Sequence, residues 1–174
     1  IGSEQIISAL FGYGSFTEIS VINSSKALYY FALGLPAFAL IKVFSTFFFA
    51  NHDTKTPFYI SLVSVLLNIL ISVYFFKDIG FIIIPIATTI SSWFNSLTLF
   101  IFLKNYDLFS FNEIFLKKFV KIVFISIMMG FFFEYLMLFF ENELSYTFFL
   151  KSVYLILCVF LAITFYLTLS YFIK

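Results

Sequence analysis

Five long apolar stretches divide the chain and restrict its fold more than any other feature. They are Ser25 to Ala50, Pro57 to Phe76, Phe81 to Leu103, Leu116 to Phe139 and Leu150 to Ile173. At 1.5 Å per residue in a helix, each stretch reaches about 30 Å or more, enough to cross the hydrocarbon layer of a bilayer. Because lipid offers the backbone no hydrogen bonds, unclosed segments of this length must be helical. The sequence therefore predicts an all-α integral membrane region over residues 25–174, with five transmembrane helices.

The composition points to the same class. Hydrophobic residues make up 63% of the 174 residues and charged residues only 11%, whereas soluble domains have roughly 45 to 50% and about 25%. The ten lysines form no basic stripe, so nucleic acid is not expected as a partner. The single Cys158 excludes an internal disulfide.

The region before the first stretch, residues 1–24, is too polar to span a membrane. Apolar side chains recur in a helical rhythm at Ile6, Ile7, Leu10 and Phe11. This spacing predicts a short interfacial helix within a loop. The chain starts without a methionine and reads as a piece of a longer protein.

Lysines in the connectors predict how the chain is oriented. The connectors are short and polar, which favours antiparallel neighbouring helices. One side of the predicted membrane holds Lys55, Lys104, Lys117, Lys118, Lys121 and Lys174, and the other holds Lys26, Lys77 and Lys151. Because cytoplasmic loops carry the excess of lysine, the C-terminus is predicted to be cytoplasmic and residues 1–24 to lie on the outer side.

Lys42 is a charge inside the first apolar stretch. It lies eight residues before Ala50, about 12 Å inside the end of the predicted helix. One interpretation is that its four-carbon stem carries the ammonium to the interface. The other is that Lys42 belongs to a substrate-binding or wet cavity, or pairs with a carboxylate elsewhere in the full protein, because charges at such depth are costly and often functional.

Three further polar residues form a candidate cation site. Asn68 and Ser72 are four residues apart and share a helix face, and Thr88 lies near the middle of the next predicted helix. Antiparallel packing would bring the three side chains together. They either hydrogen-bond between helices or hold a monovalent cation such as sodium with neutral oxygens and no carboxylate.

Gly34, Pro36 and Pro85 are candidate hinges. A proline inside a helix removes one backbone hydrogen bond and produces a kink, which serves either motion or packing. His52 beside Asp53 falls far short of a metal site, so neither a metal centre nor an organic cofactor is predicted. No nucleophile stands with a matching base, and the sequence therefore indicates no enzyme.

Three motifs carry a resemblance to a known family. They are "EQIISALFGYGSFT" at residues 4–17, "IKVFSTFFFANHDTKTPFYIS" at 41–61 and "IATTISSWFNSLTLF" at 86–100. The most specific part is a basic residue, an aromatic-rich apolar run, a small polar turn with aspartate, and then Lys-Thr-Pro. Together they resemble the MurJ (MviN) lipid II flippases of the multidrug/oligosaccharidyl-lipid/polysaccharide exporter superfamily.

The resemblance implies a transporter of fourteen helices in two lobes. These residues would form the last five helices, most of the C-terminal lobe, and the earlier helices of the same protein would be their partners. Such a transporter moves undecaprenyl-pyrophosphate-linked peptidoglycan precursor across the bacterial inner membrane by alternating access. The resemblance also implies that the last two helices form a lipid-facing groove for the polyprenyl tail.

The resemblance gives some of the candidate residues a role. Lys42 matches a position where the family often has lysine or arginine. Asn68 and Thr88 match positions linked to sodium binding in some members, whereas Ser72 stands where those members have the stronger ligands aspartate or asparagine. The alternative functions are a flippase for another lipid-linked oligosaccharide and a membrane scaffold that does not transport.

Overall fold

Every secondary-structure element in the described part of the chain is helical. The computed structural model describes residues 2–106 and 113–172. The helices are α1 (Ser3–Phe11), α2 (Glu18–Ala50), α3 (Lys55–Ile79), α4 (Ile83–Asn105), α5 (Glu113–Phe139) and α6 (Lys151–Phe172), with a 3-10 turn (Gly80–Ile82) between α3 and α4. The predicted all-α class is confirmed.

Four helical segments of the described residues are long and apolar enough to cross a membrane. They are Glu18–Ala50, Lys55–Asn105, Glu113–Phe139 and Lys151–Phe172. The second is 51 residues long, and it folds back at the 3-10 turn into α3 and α4, of 25 and 23 residues. Gly80 begins this turn with φ 74° and ψ −154°, a conformation that only glycine adopts readily. The five predicted spans therefore correspond to α2 through α6.

The largest difference from the predicted helix bounds is the start of α2. The helix begins at Glu18, seven residues before the predicted start at Ser25, because Thr17 organises its first turn. The Thr17 hydroxyl accepts a hydrogen bond from Ser20 N, and the Thr17 carbonyl accepts one from Val21 N. A polar first turn is no obstacle to a helix that protrudes from a bilayer.

The other predicted bounds lie within three residues of those observed. The predicted end at Ile173 and most of the connector at 104–115 lie outside the described residues. The short helix predicted within residues 1–24 is present as α1. Its interfacial position stays a prediction.

One compact unit comprises residues 1–26 and 111–174. In it, α6 packs against both α1 and α5. Its core consists of Ala9, Leu136, Met137, Leu144, Leu155 and Cys158. The rings of Phe132 and Phe165 stack with centroids 4.3 Å apart and join α5 to α6.

The second compact unit comprises residues 27–110. Its core joins α2, α3 and α4 through Phe44, Phe48, Ile60, Leu99 and Leu103. Asn68 faces Thr88, and Ser61 faces Asn95. The residue number rises by seven along α3 from Ser61 to Asn68 while that of the partner falls by seven along α4, from Asn95 to Thr88. The two helices therefore run antiparallel.

A tight polar turn joins α2 to α3. His52 has φ 58°, and Asp53 Oδ1 accepts hydrogen bonds of 3.0 Å from the backbone N–H groups of Lys55 and Thr56. A hydrogen bond from the Thr56 side chain lowers the pKa of Asp53 below its ordinary value, and a smaller effect comes from the hydrogen bond of the Thr56 backbone N–H. Asp53, one residue before the N-cap Thr54, thus accepts from two N–H groups at the start of α3 that have no partner within the helix. Pro57 occupies the first turn of that helix, where its missing N–H breaks no bond. The helix begins at Lys55, two residues before the predicted start at Pro57.

Gly34 of α2 lies close to α4. A Cβ atom at this position would lie 3.1 Å from Thr89 Oγ1 and 3.3 Å from the Phe38 ring. We expect Gly34→Leu to lower the stability of the full-length protein by about 1 to 3 kcal/mol, the usual cost of overpacking. Thermal unfolding in detergent measures it, with Ala39→Leu as control because Ala39 is exposed on the same helix. Equal melting temperatures for the two variants would contradict this close approach.

Candidate functional site

A polar stripe runs between α3 and α4. The α3 side consists of Ser61, Ser64, Asn68 and Ser72, and the α4 side of Thr88, Ser91, Ser92 and Asn95. The spacing of three or four residues on each helix places these side chains on one face. Helices that are apolar on their other faces must turn such groups toward each other in a membrane.

The three predicted cation-site residues do meet. Asn68 Nδ2 donates to Thr88 Oγ1 at 3.1 Å and to Ser91 Oγ at 3.2 Å, and the Ser72 hydroxyl donates to Asn68 Oδ1 at 3.5 Å. The hydroxyl protons of Thr88 and Ser91 go to the Ile84 and Thr88 carbonyls of their own helix. Both hydroxyl oxygens are therefore free to accept from the amide of Asn68.

Asn95 forms the second half of the stripe. Its Nδ2 donates to Ser61 Oγ at 3.4 Å, while its Oδ1 is buried and has no hydrogen-bond partner among the described residues. Asn95 and Ser64 line a cavity of about 270 Å³ together with Asn68, Ser91 and the α2 side chains Phe38 and Ile41. The cavity has room for several water molecules, which would satisfy Asn95 Oδ1.

The Asn68 cluster as arranged does not fit a cation. The amide nitrogen, not the oxygen, points at the oxygens of Thr88 and Ser91, so a donor occupies the place where a cation would need an acceptor. None of the described residues that line the cavity carries a carboxylate. A cation would require the Asn68 amide to turn its oxygen toward Thr88. The hydrogen bonds of the cluster hold α3 against α4.

Lys42 lies outside this cluster. Its side chain is exposed on α2, and its backbone carbonyl accepts a 2.7 Å hydrogen bond from the Thr46 hydroxyl. Its neighbour Ile41 lines the cavity, whereas Lys42 does not. The Lys42 ammonium therefore lies at the surface of the part of the chain that the structure describes.

The hinge candidates lie at different depths in their helices. Pro36 is exposed in the middle of α2, and Pro85 is the third residue of α4, where a proline needs no kink. Just before Gly34, two α2 carbonyls accept hydrogen bonds from α4: Tyr30 O from Thr89 Oγ1 at 2.7 Å, and Leu33 O from Trp93 Nε1 at 3.0 Å. These bonds brace α2 beside Pro36. A hinge role stays a prediction.

Sequence reasoning missed Asn95, Ser61 and Trp93. Asn95 lies seven residues after Thr88, and Ser61 seven before Asn68, so a two-turn extension of the same faces would have found both. Trp93 lies four residues after Thr89. No spacing rule identifies the α2 carbonyl that its indole N–H reaches.

Long apolar helices that confine their amides and hydroxyls to an interhelical groove define a multi-pass α-helical membrane protein. The family model described as lipid II flippase MurJ matches residues 1–155 of this chain. The chain belongs to this family, and the resemblance carried by its motifs is confirmed.

Relatives in three bacteria bear the name probable lipid II flippase MurJ. That of Rickettsia prowazekii (strain Madrid E) is 38% identical over 93 residues, 53% of this chain. That of Rhizobium meliloti (strain 1021) is 38% identical over 98 residues, 56% of the chain. That of Thermotoga maritima (strain ATCC 43589 / DSM 3109 / JCM 10099 / NBRC 100826 / MSB8) is 38% identical over 89 residues, 51% of the chain. The matches cover 18 to 19% of these relatives' lengths.

Thr88 and Thr98 provide a matched test of the interhelical bond. Both hydroxyls donate within α4, to Ile84 O and Phe94 O at 2.8 Å, but Thr88 also accepts from Asn68. We expect Thr88→Val to destabilise the full-length protein more than Thr98→Val does, by about 0.6 to 1.7 kcal/mol, the range for such bonds in membranes. Thermal unfolding in detergent measures the difference. Equal losses would show that the bond to Asn68 contributes nothing.

Proposed function

We propose that this chain is part of a flippase that carries undecaprenyl-pyrophosphate-linked peptidoglycan precursor across the bacterial inner membrane by alternating access. The observation that carries the proposal is the family match over residues 1–155. The three relatives described above are each named a probable lipid II flippase. The activity is transport, so no covalent chemistry is assigned to these residues.

The physical character of the helices supports this proposal. A lipid-linked substrate has an anionic head group and a long apolar tail, so its carrier needs both a wet path and a lipid-facing surface. The exposed side chains of α5 and α6 are largely apolar, including Phe131, Phe160 and Leu167, and suit the lipid tail. The matched segments cover less than a fifth of the relatives' lengths, so we assign the path for the head group mainly to helices outside this chain.

We propose that Lys42 contributes positive charge to that path. Its ammonium is exposed on α2, and a lone charge at this depth is stable only next to water or an opposite charge. A pyrophosphate is such a partner. With the C-terminus in the cytoplasm, as the lysine count favours, Lys42 lies toward the cytoplasmic end of its helix.

Substitution of Lys42 tests this role. In the full-length protein, we expect Lys42→Met to slow lipid II translocation about tenfold or more, because a hydrogen bond to a charged group contributes about 1.5 to 3 kcal/mol. Lys42→Arg should retain most of the activity. Translocation of labelled lipid II in proteoliposomes measures the rate, with Lys77→Met as control because Lys77 lies at the far end of α3.

Three results would contradict these proposals. Normal translocation by Lys42→Met would remove Lys42 from the path. Depletion of the full-length protein without loss of lipid II translocation would remove the flippase function itself. Transport of a different lipid-linked oligosaccharide in preference to lipid II would assign the protein to another branch of the exporters.

The sodium site predicted from Asn68, Ser72 and Thr88 is open to a separate test. Because the Asn68 amide donates to Thr88, we expect translocation at a fixed membrane potential to proceed at equal rates in sodium and in choline buffers. Asn68→Ala should then slow transport equally in both. A rate that rises with sodium in the parent protein and loses this rise in Asn68→Ala would establish the cation site, with Asn51→Ala in the α2–α3 turn as control.

A further inference from the structure

Lys151, the first residue of α6, is buried. Its side chain is only 1% exposed, although sequence analysis counted it among the connector lysines. A buried ammonium is costly unless its protons are bonded and its charge is balanced. The partners of this ammonium therefore show what the site is built to hold.

Two carbonyls and two aromatic rings surround the ammonium. Lys151 Nζ donates to Gly12 O and to Tyr146 O, each at 2.7 Å. It also lies 4.4 Å from the ring centre of Tyr13 and 4.6 Å from that of Tyr146, within the range of cation–π attraction. Among the described residues, its partners are carbonyl dipoles and ring faces, with no carboxylate. These are the features of a site that selects an ammonium group.

The walls of this site are themselves held in place. The Tyr13 hydroxyl and Ser152 Oγ are 2.8 Å apart, Ser152 Oγ donates to Ala9 O, and the Tyr146 hydroxyl donates to Phe16 O at 2.8 Å. The hydroxyl of each tyrosine thus fixes the position of its ring. The face of each ring lies against the charge of Lys151.

Gly12 completes the site because only glycine leaves room there. A Cβ at position 12 would lie 3.1 Å from Lys151 Nζ and 2.5 Å from Ser8 O. Such contacts would displace the ammonium or the end of α1. The glycine lets the backbone carbonyl approach the charge closely.

Three segments meet at the site, all within the unit of residues 1–26 and 111–174. Gly12 and Tyr13 belong to the connector that leads from α1 into α2, Tyr146 lies between α5 and α6, and Lys151 begins α6. An apolar side chain of equal length would fill the space but leave both carbonyls without a donor. The charge of Lys151, rather than its bulk, is the bonding element.

We propose that Gly12, Tyr13 and Tyr146 form a binding site for a primary ammonium group, that Lys151 fills it from within the chain, and that this occupancy holds the connector before α2 on the α5–α6 pair. The proposal does not depend on what the protein transports. It predicts that a free alkylammonium ion will take the place of the missing side chain.

Cys158 reports whether this unit stays closed. It is fully buried in the same core as Ala9 of α1 and Leu155 of α6, so release of α1 from α6 would expose its thiol. The experiment uses the full-length protein with any cysteines outside this chain replaced by serine. Alkylation of Cys158 by a maleimide is followed over time in detergent.

We expect Lys151→Ala and Lys151→Met each to raise the alkylation rate of Cys158 about tenfold or more, the effect of losing about 1.4 kcal/mol. Millimolar n-propylammonium should restore slow alkylation in Lys151→Ala, because it matches the three carbons and the ammonium group that the substitution removes. It should not do so in Lys151→Met, whose side chain fills that space. Lys117→Ala is the control, since Lys117 is exposed on α5.

Several outcomes would overturn the proposal. Slow alkylation in Lys151→Met would mean that bulk alone holds the unit closed. Restoration of slow alkylation in Lys151→Ala by n-propanol as well as by n-propylammonium would exclude a role for the charge. Failure of both compounds to restore it would show that no such site exists.

If the Lys151 variants do not fold, Tyr13 provides the test. Tyr13→Phe keeps the ring face and loses only the hydroxyl bond to Ser152, whereas Tyr13→Leu loses both. We expect alkylation of Cys158 to be faster in Tyr13→Leu than in Tyr13→Phe. Equal rates would exclude a contribution from the ring face and overturn the aromatic part of the site.

Discussion

The absence of water from the hydrocarbon layer is the constraint on which the rest of this structure depends. Every backbone N–H and C=O in a spanning segment must find a partner inside the protein. Helices meet this demand locally, which is why α2 through α6 are continuous over their apolar stretches. The turn at Gly80 reverses the chain between α3 and α4 through a backbone conformation that a side chain would not allow.

The same constraint governs the polar side chains. Asn68 donates to Thr88 and Ser91 across the α3–α4 pair, and Trp93 donates to the α2 carbonyl of Leu33 beside Pro36. In water these bonds would compete with solvent, whereas in a bilayer the alternative is an unsatisfied group. Lys151 is the extreme case, since its full charge is balanced by carbonyls and ring faces alone among the described residues.

Much of the fold could be predicted because the helical spans depend on local composition. The ends of α3, α4 and α5 lie within three residues of the predicted positions. The predicted start of α2 was wrong by seven residues. Hydropathy indicates which part of a helix fits the lipid, and it does not indicate where the helix begins. At the candidate site, Asn68 and Thr88 were expected to meet, and antiparallel packing of consecutive helices brings them together.

By itself, the sequence determined the helical membrane class, the family and the faces on which polar residues lie, because hydropathy, motifs and helical period depend on residues close in the chain. Tertiary structure alone decided that the Asn68 amide nitrogen faces Thr88 and that Asn95 Oδ1 has no partner in the part of the chain that the structure describes. It also decided that Lys151 is enclosed by Gly12 and Tyr13, 139 and 138 positions earlier in the chain. Contacts of that sequence separation arise from packing, and no local pattern records them.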